Sequence, residues 1–212
     1  IAACDVLMKD AAIKHGQISI CFTPDEEIGR GADRFDFERF DAVYAYTVDG
    51  GELGGIECEN FNAASVKLTV HGVNTHPGSA KNKMRNAILF LHEFIALLPP
   101  AETPAHTEGY EGFYHINAVE GDETTASLHM LIRDHSDAMF EKRKAFVADT
   151  VRYLGGKYGE NTFDLTITDS YRNMRVIIDK YPEIVARAEN AMRACGVTPE
   201  ITAIRGGTDG AR

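Results

Sequence analysis

Two adjacent carboxylates, Glu26 and Glu27, lie in the stretch Thr23-Pro24-Asp25-Glu26-Glu27-Ile28-Gly29, directly after the apolar run Ile18-Ser19-Ile20-Cys21-Phe22. Acidic groups at the end of a buried strand repel one another, and burial raises their pKa values unless a cation compensates. A second strand-like run, residues 42–48, ends in Asp49-Gly50-Gly51. If the two runs are parallel strands of one sheet, their acidic ends share its carboxyl edge, where open α/β sheets place ligands. Carboxylates gathered there point to a divalent metal. Pro24 sets the turn, and Gly29 and Gly31 let the backbone bend sharply. Neighbouring side chains can then splay, one binding metal and the other accepting a proton from metal-bound water. That division of labour suits hydrolysis better than a structural metal. The bland alternative is two solvated loop acids and, at Asp49, an ordinary Asp-Gly-Gly turn.

Three more positions could serve a reaction. His76 lies in Gly72-Val73-Asn74-Thr75-His76-Pro77-Gly78, where Pro and Gly fix its direction; an exposed loop histidine is the plain reading. Arg133 ends a strand beside Asp134 and His135, where a surface ion pair is the default. Arg205 precedes Gly206-Gly207-Thr208-Asp209, and arginine can grip a carboxylate through two hydrogen bonds. That glycine-rich loop does not match a phosphate-binding loop.

Elements must position these groups. Residues 1–15 read as a helix stopped by Gly16, 17–22 as a strand, 33–40 as a helical connection and 42–48 as the next strand. Residues 63–71 alternate, with Ala64, Val66, Leu68 and Val70 on one face. A helix over 82–98 ends at Pro99-Pro100. Strands over 112–119 and 124–133 are joined by Glu120-Gly121-Asp122-Glu123, a hairpin signal. A helix over 137–154 stops at Gly155-Gly156, and a strand covers 162–168. The order β-α-β-β-α-β over 63–171 is that of a ferredoxin-like unit. A helix from Tyr181 and a strand over 200–204 return the chain to the first sheet. The expected fold is α/β: a mixed-sheet catalytic domain in two parts, 1–60 and 172–212, with a lid or dimerisation-like domain inserted at 61–171.

The 212 residues are 44% hydrophobic and 25% charged, as in globular proteins, with no run of membrane-spanning length. A net charge of −10 argues against a nucleic-acid partner. No membrane partner is expected. The scattered cysteines, Cys4, Cys21, Cys58 and Cys195, lack a paired spacing and suit a reducing, cytoplasmic setting. The opening Ile1-Ala2-Ala3 and the loop-like close at 206–212 lead us to expect a piece of a longer protein.

Taken in order, Asp25-Glu26-Glu27, Val48-Asp49-Gly50-Gly51, Asn74-Thr75-His76-Pro77-Gly78 and Arg205-Gly206-Gly207-Thr208-Asp209-Gly210 resemble the dizinc exopeptidase family that holds tripeptide aminopeptidases, aminoacylases and related carboxypeptidases. The stretches 49–54 and 205–209 resemble its tripeptide-aminopeptidase branch in particular. The resemblance implies two Zn²⁺ ions per intact site, Glu26 as general base and acid, Glu27 and Asp49 as ligands of different zincs, and His76, Arg133 and Arg205 as substrate-binding residues. It implies a tripeptide substrate and, through the inserted domain, a homodimer. The family's His-x-Asp motif with its bridging Asp, and its last zinc-binding His, are not found in these 212 residues, so the chain alone is expected to be inactive and to bind zinc weakly. A related dipeptidase or aminoacylase is the nearest alternative. A self-association or binding module with a degenerate site is the alternative outside catalysis.

Overall fold

The alternation read at 63–71 forms β2 (Asn62–His71), the centre of the molecule. Its inward side chains Ala64, Val66, Leu68 and Val70 are almost wholly buried, while Ser65, Lys67 and His71 face solvent. The computed structural model describes residues 1–28 and 30–211. Antiparallel ladders join β2 to β4 (Thr125–Asp134) on one side and β5 (Phe163–Tyr171) on the other, and β3 (Phe113–Gly121) pairs with β4. The four-stranded order is β3-β4-β2-β5. With α3 (Ala87–Leu97) after β2 and α4 (Asp137–Tyr158) after β4, this is the split β-α-β topology expected from the element order.

Both helices cover one face of that sheet. Leu91 and Phe94 of α3 and Phe140, Val147 and Leu154 of α4 pack on Leu68, Leu128, Met130 and Ile132. Every residue of this core cluster lies between Ala64 and Phe163. Asn86 caps α3 by accepting from the Leu89 amide, and Ser136 caps α4 by accepting from Met139. The helix expected over 82–98 therefore begins only at Ala87. Helix α4 does not stop at Gly155-Gly156. Interior glycine weakens a helix by about 1 kcal/mol without breaking it, and tertiary contacts hold the last turn: Tyr158 stacks on Phe90 at 3.9 Å and Lys157 pairs with Glu93 at 2.6 Å. The stop is Gly159, whose φ of 107° strongly favours glycine.

The flanking segments form less regular structure than the sequence implies. Helix α1 (Ala2–Lys9) ends six residues short of the expected 15, and α2 is a single turn (Phe37–Phe40) capped by Asp36. Residues 17–22 and 42–48 form no strand and join no ladder among the described residues. Parallel strands persist only with both faces covered, and here Ile18, Ile20, Phe22, Val43 and Val48 stand exposed. The pair that does form is β1 (Gly55–Asn60) with β6 (Glu200–Ile204), parallel. Strand β1 had no counterpart in the sequence reading, although Ile56 and Cys58 alternate with Glu57 and Glu59. Two further helices, α5 (Arg175–Ile178) and α6 (Pro182–Ala194), lie against β1.

Candidate active site

Glu26 opens a single 3-10 turn, Glu26–Ile28, directly after Asp25. Asp25 takes a left-handed backbone with φ of 64°, an uncommon conformation that Asp tolerates and that recurs at functional turns. The Arg30 amide closes the turn on the Asp25 carbonyl at 3.0 Å. Gly29 lies outside the described residues. Gly31 is buried, and a Cβ there would fall 1.7 Å from the Asp209 carboxylate. Asp209 also accepts from the Thr23 hydroxyl at 3.1 Å. The loop after β6 thus sits on the Asp-Glu-Glu turn. The same loop approaches the 42–48 segment, where a Cβ on Gly210 would lie 2.7 Å from the Thr47 hydroxyl.

Three segments thereby bring acids together. The Glu26 carboxyl is pushed above its ordinary value of 4.5, first by lost contact with water, then by the charges of Asp49, Glu27 and Asp209. A nearby cation would counter the part of this shift that comes from the three neighbouring charges. Glu27 and Asp49 are exposed, and Asp49 accepts from the Gly50 amide at 2.7 Å. Asp209 was not singled out from the sequence. Its available signal is position: an acid shortly after β6, as Asp25 and Asp49 follow the strands expected at 17–22 and 42–48. Among the described residues no three His, Cys, Asp or Glu side chains are arranged to hold a metal ion.

The other three expected residues sit on or beside the four-stranded unit. His76 precedes a short 3-10 turn and its Nδ1 accepts from the Gly78 amide at 3.1 Å, which fixes the ring. It lines a shallow depression with Asn74, Thr75, Met84, Asn86 and Glu123. Arg133 is half-buried near the end of β4. Its Nη1 donates to the Ile132 carbonyl at 3.0 Å, and its guanidinium lies 5.4 Å from the Tyr171 ring. Burial pulls its pKa down, and Tyr171 partly offsets this. Its neighbour Asp134 pairs instead with Arg143 at 2.7 Å, so Arg133 has no carboxylate at ion-pair distance among the described residues. Arg205 is fully engaged: it donates to the carbonyls of Thr107, Gly109 and Glu111 and lies over the rings of Phe61 and Phe113.

Residues 58–162 match the family model of the peptidase dimerisation domain. Over all 212 residues the chain is 53% identical to peptidase T of Halothermothrix orenii and 50% identical to that of Alkaliphilus oremlandii. It covers 52% of each, so the chain spans about half the length of the curated relatives it matches. Among solved structures, the fold is similar to aminopeptidase PepT from Bacillus cereus, with a TM-score of 0.74, 23% identity, and 89% of this chain and 51% of that one covered. A tripeptidase from Staphylococcus aureus gives a TM-score of 0.76 at 19% identity, covering 89% and 50%. The fold is thus similar to that of the matching half of each of these two structures. Along its whole length the chain is similar to peptidase T, and over residues 58–162 to the peptidase dimerisation domain.

Proposed function

We propose that this chain carries part of the catalytic centre of a metal-dependent aminopeptidase that releases the N-terminal residue of tripeptides. The observation that carries the reading is the gathering of Glu26, Glu27, Asp49 and Asp209 from three separate segments. Whole-length similarity to peptidase T supports it. In this reading residues 1–60 and 172–212 are the two parts of the catalytic domain, and 61–171 is the lid.

The acids present fit a two-metal centre only in part. Glu27 and Asp49 offer one carboxylate to each of two zinc ions, and the other ligands come from parts of the longer protein outside these residues. Bound zinc supplies Lewis acidity, polarising a carbonyl and lowering the pKa of water. Glu26 accepts the proton of the attacking water and returns it to the leaving amine. Its raised proton affinity supports that role. His76, whose ring is held by Gly78, would bind substrate from the lid. Arg133 is a half-buried cation free to receive a carboxylate. Arg205 can meet substrate only by releasing some of its bonds to the 107–111 loop. In this reading the protein is a cytoplasmic homodimer joined through the lid, which the unpaired cysteines fit.

A second reading is favoured by one observation: the whole buried core cluster belongs to the lid. In that reading the lid is a self-association module. The test is a tripeptide-cleavage assay on the protein extended to the length of its relatives. The aminopeptidase reading requires cleavage that is lost with a chelator and restored by zinc. A folded, dimeric protein that never cleaves a free-amino tripeptide would favour the second reading.

A further inference from the structure

Ala63 shares the open face of the four-stranded sheet with Ser65 and Lys67, yet of the three it alone is buried. Its ladder partners explain the cover: Arg133 on β4 and Tyr171 on β5 stand opposite it, one on each side. Those strands are two ladder spacings apart, about 9–10 Å, so only long side chains with a small residue between them can meet across the gap. Here they do. The Arg133 guanidinium lies over the Tyr171 ring, 5.4 Å from its centre. A β-bulge sets up the encounter: Ala64 pairs with Asp169 but Ala63 with Tyr171, which leaves Ser170 without a place in the ladder. An extra residue at such a point re-aims the side chain that follows. Without it, Ser170 would stand opposite Ala63.

The contact holds a cation that is tied at one end. Arg133 Nη1 donates to the carbonyls of Ile132 at 3.0 Å and Ala64 at 3.5 Å, both within its own sheet. The adjacent acid, Asp134, is taken by Arg143. Burial works against the Arg133 charge, and Tyr171 offsets part of that effect. The hydroxyl end of the same ring meets the glycine-rich loop after β6. A Cβ on Gly207 would fall 2.7 Å from Tyr171 Cζ and 3.0 Å from its hydroxyl oxygen. That loop carries Asp209, which sits against Gly31 of the acidic turn. Arg133 and Tyr171 belong to one sheet, so their contact moves with it as a body.

We propose that Tyr171 is the positioning residue for Arg133: its ring backs the guanidinium across Ala63 and holds it ready, beside the 206–209 loop, for a substrate carboxylate. A long side chain left without such backing samples many rotamers, and ordering it on binding weakens affinity. The carboxylate assigned to Arg133 rests on the aminopeptidase reading, whereas the positioning of its guanidinium by Tyr171 does not.

Two measurements test it. The first reads no activity: the Arg133 Nε–H signal in a proton–nitrogen correlation spectrum of the 212-residue chain, assigned by its loss in Arg133→Met. Tyr171→Leu should move that signal by removing the ring, and Tyr171→Phe should leave it near its original place. A signal unmoved by Tyr171→Leu overturns the proposal. Should Tyr171→Leu not fold, the Tyr171 ring signals decide: they should move in Arg133→Met, and unmoved ring signals overturn the proposal equally. The second is a double-mutant cycle on tripeptide cleavage by the protein extended to the length of its relatives. Tyr171→Leu should raise KM by roughly 2–30-fold, the range of a cation–π contact, with a smaller change in kcat, and Tyr171→Phe should recover most of the loss. In an Arg133→Met background the same substitution should raise KM no further. A full rise in that background overturns the proposal. A protein that cleaves no tripeptide defeats the aminopeptidase reading, and the spectra then decide the positioning by themselves.

Discussion

In the proposed reading Glu26 is the residue on which the chemistry turns. Its carboxyl is pushed upward by lost contact with water and then by the neighbouring acids, while Glu27 and Asp49 offer the metal-facing oxygens in the proposed reading. Replacing Glu26 by Gln keeps the shape and removes the base. In the full-length protein, tripeptide turnover should fall by about 10²–10⁴-fold with metal content, read by elemental analysis, near that of the parent. Gly31→Ala tests the arrangement from another side. The added methyl would collide with the Asp209 carboxylate and push it off the acidic turn. Misplacement on the scale of an ångström can lower a rate by roughly 10²-fold, and steady-state kinetics on that variant should show a loss of this order with thermal stability little changed. Arg133 predicts a different signature. Arg133→Met should raise KM for the tripeptide more than it lowers kcat, since uniform binding of a carboxylate is what it would remove.

The elements divide into those written locally and those written by their neighbours. The β2 alternation, the hairpin at Gly121-Asp122 and the amphipathic α4 each carry their own periodicity, so the four-stranded unit is legible from Ala63 onward. The runs at 17–22 and 42–48 have equally apolar sequences, but a parallel strand is defined by its partners and cover. Among the described residues, Ile20 and Val43 stand exposed and their segments join no ladder. Strand β1 was missed for the converse reason: its acidic alternation, Glu57 and Glu59, reads as surface until Glu59 is seen buried beneath Tyr110 and Arg175. At the site, the acids before Gly29 and Gly50 could be read from their positions, whereas Asp209 became visible only through its contact with Gly31 and Thr23. Two predictions belong to this scale. Leu128→Ala, at a wholly buried position of β4, should destabilise the lid by about 2–5 kcal/mol in denaturant unfolding. Burial pushes the Glu59 carboxyl up, but hydrogen bonds from Tyr110, Asn173 and Arg175, with the Arg175 charge, outweigh it and hold it below 4.5. The stability Glu59 contributes is therefore complete above about 4.5 and lost as pH falls through its lowered folded value. Acid unfolding curves should show this loss in the parent and less of it in Glu59→Gln.

At the scale of the whole molecule, one well-packed unit carries flanking segments whose acidic tips converge without a complete ligand set. The packed core is confined to the four-stranded unit and its two helices, and exposed apolar side chains stand in the flanks, at Ile18, Phe22, Val43 and Val48 among others. The aminopeptidase account has these flanks completed by the rest of a longer protein. It follows that zinc titrated by calorimetry into the 212-residue chain should bind far more weakly than into the protein extended to the length of its relatives. The most direct measurement is anomalous scattering at the zinc edge from crystals of that extended protein. The account predicts two zinc ions about 3.5–4 Å apart, one touching Glu27 and the other Asp49, with Glu26 beside them and bound to neither. Zinc found away from Glu27 and Asp49, or Glu26 itself serving as a ligand, would contradict it.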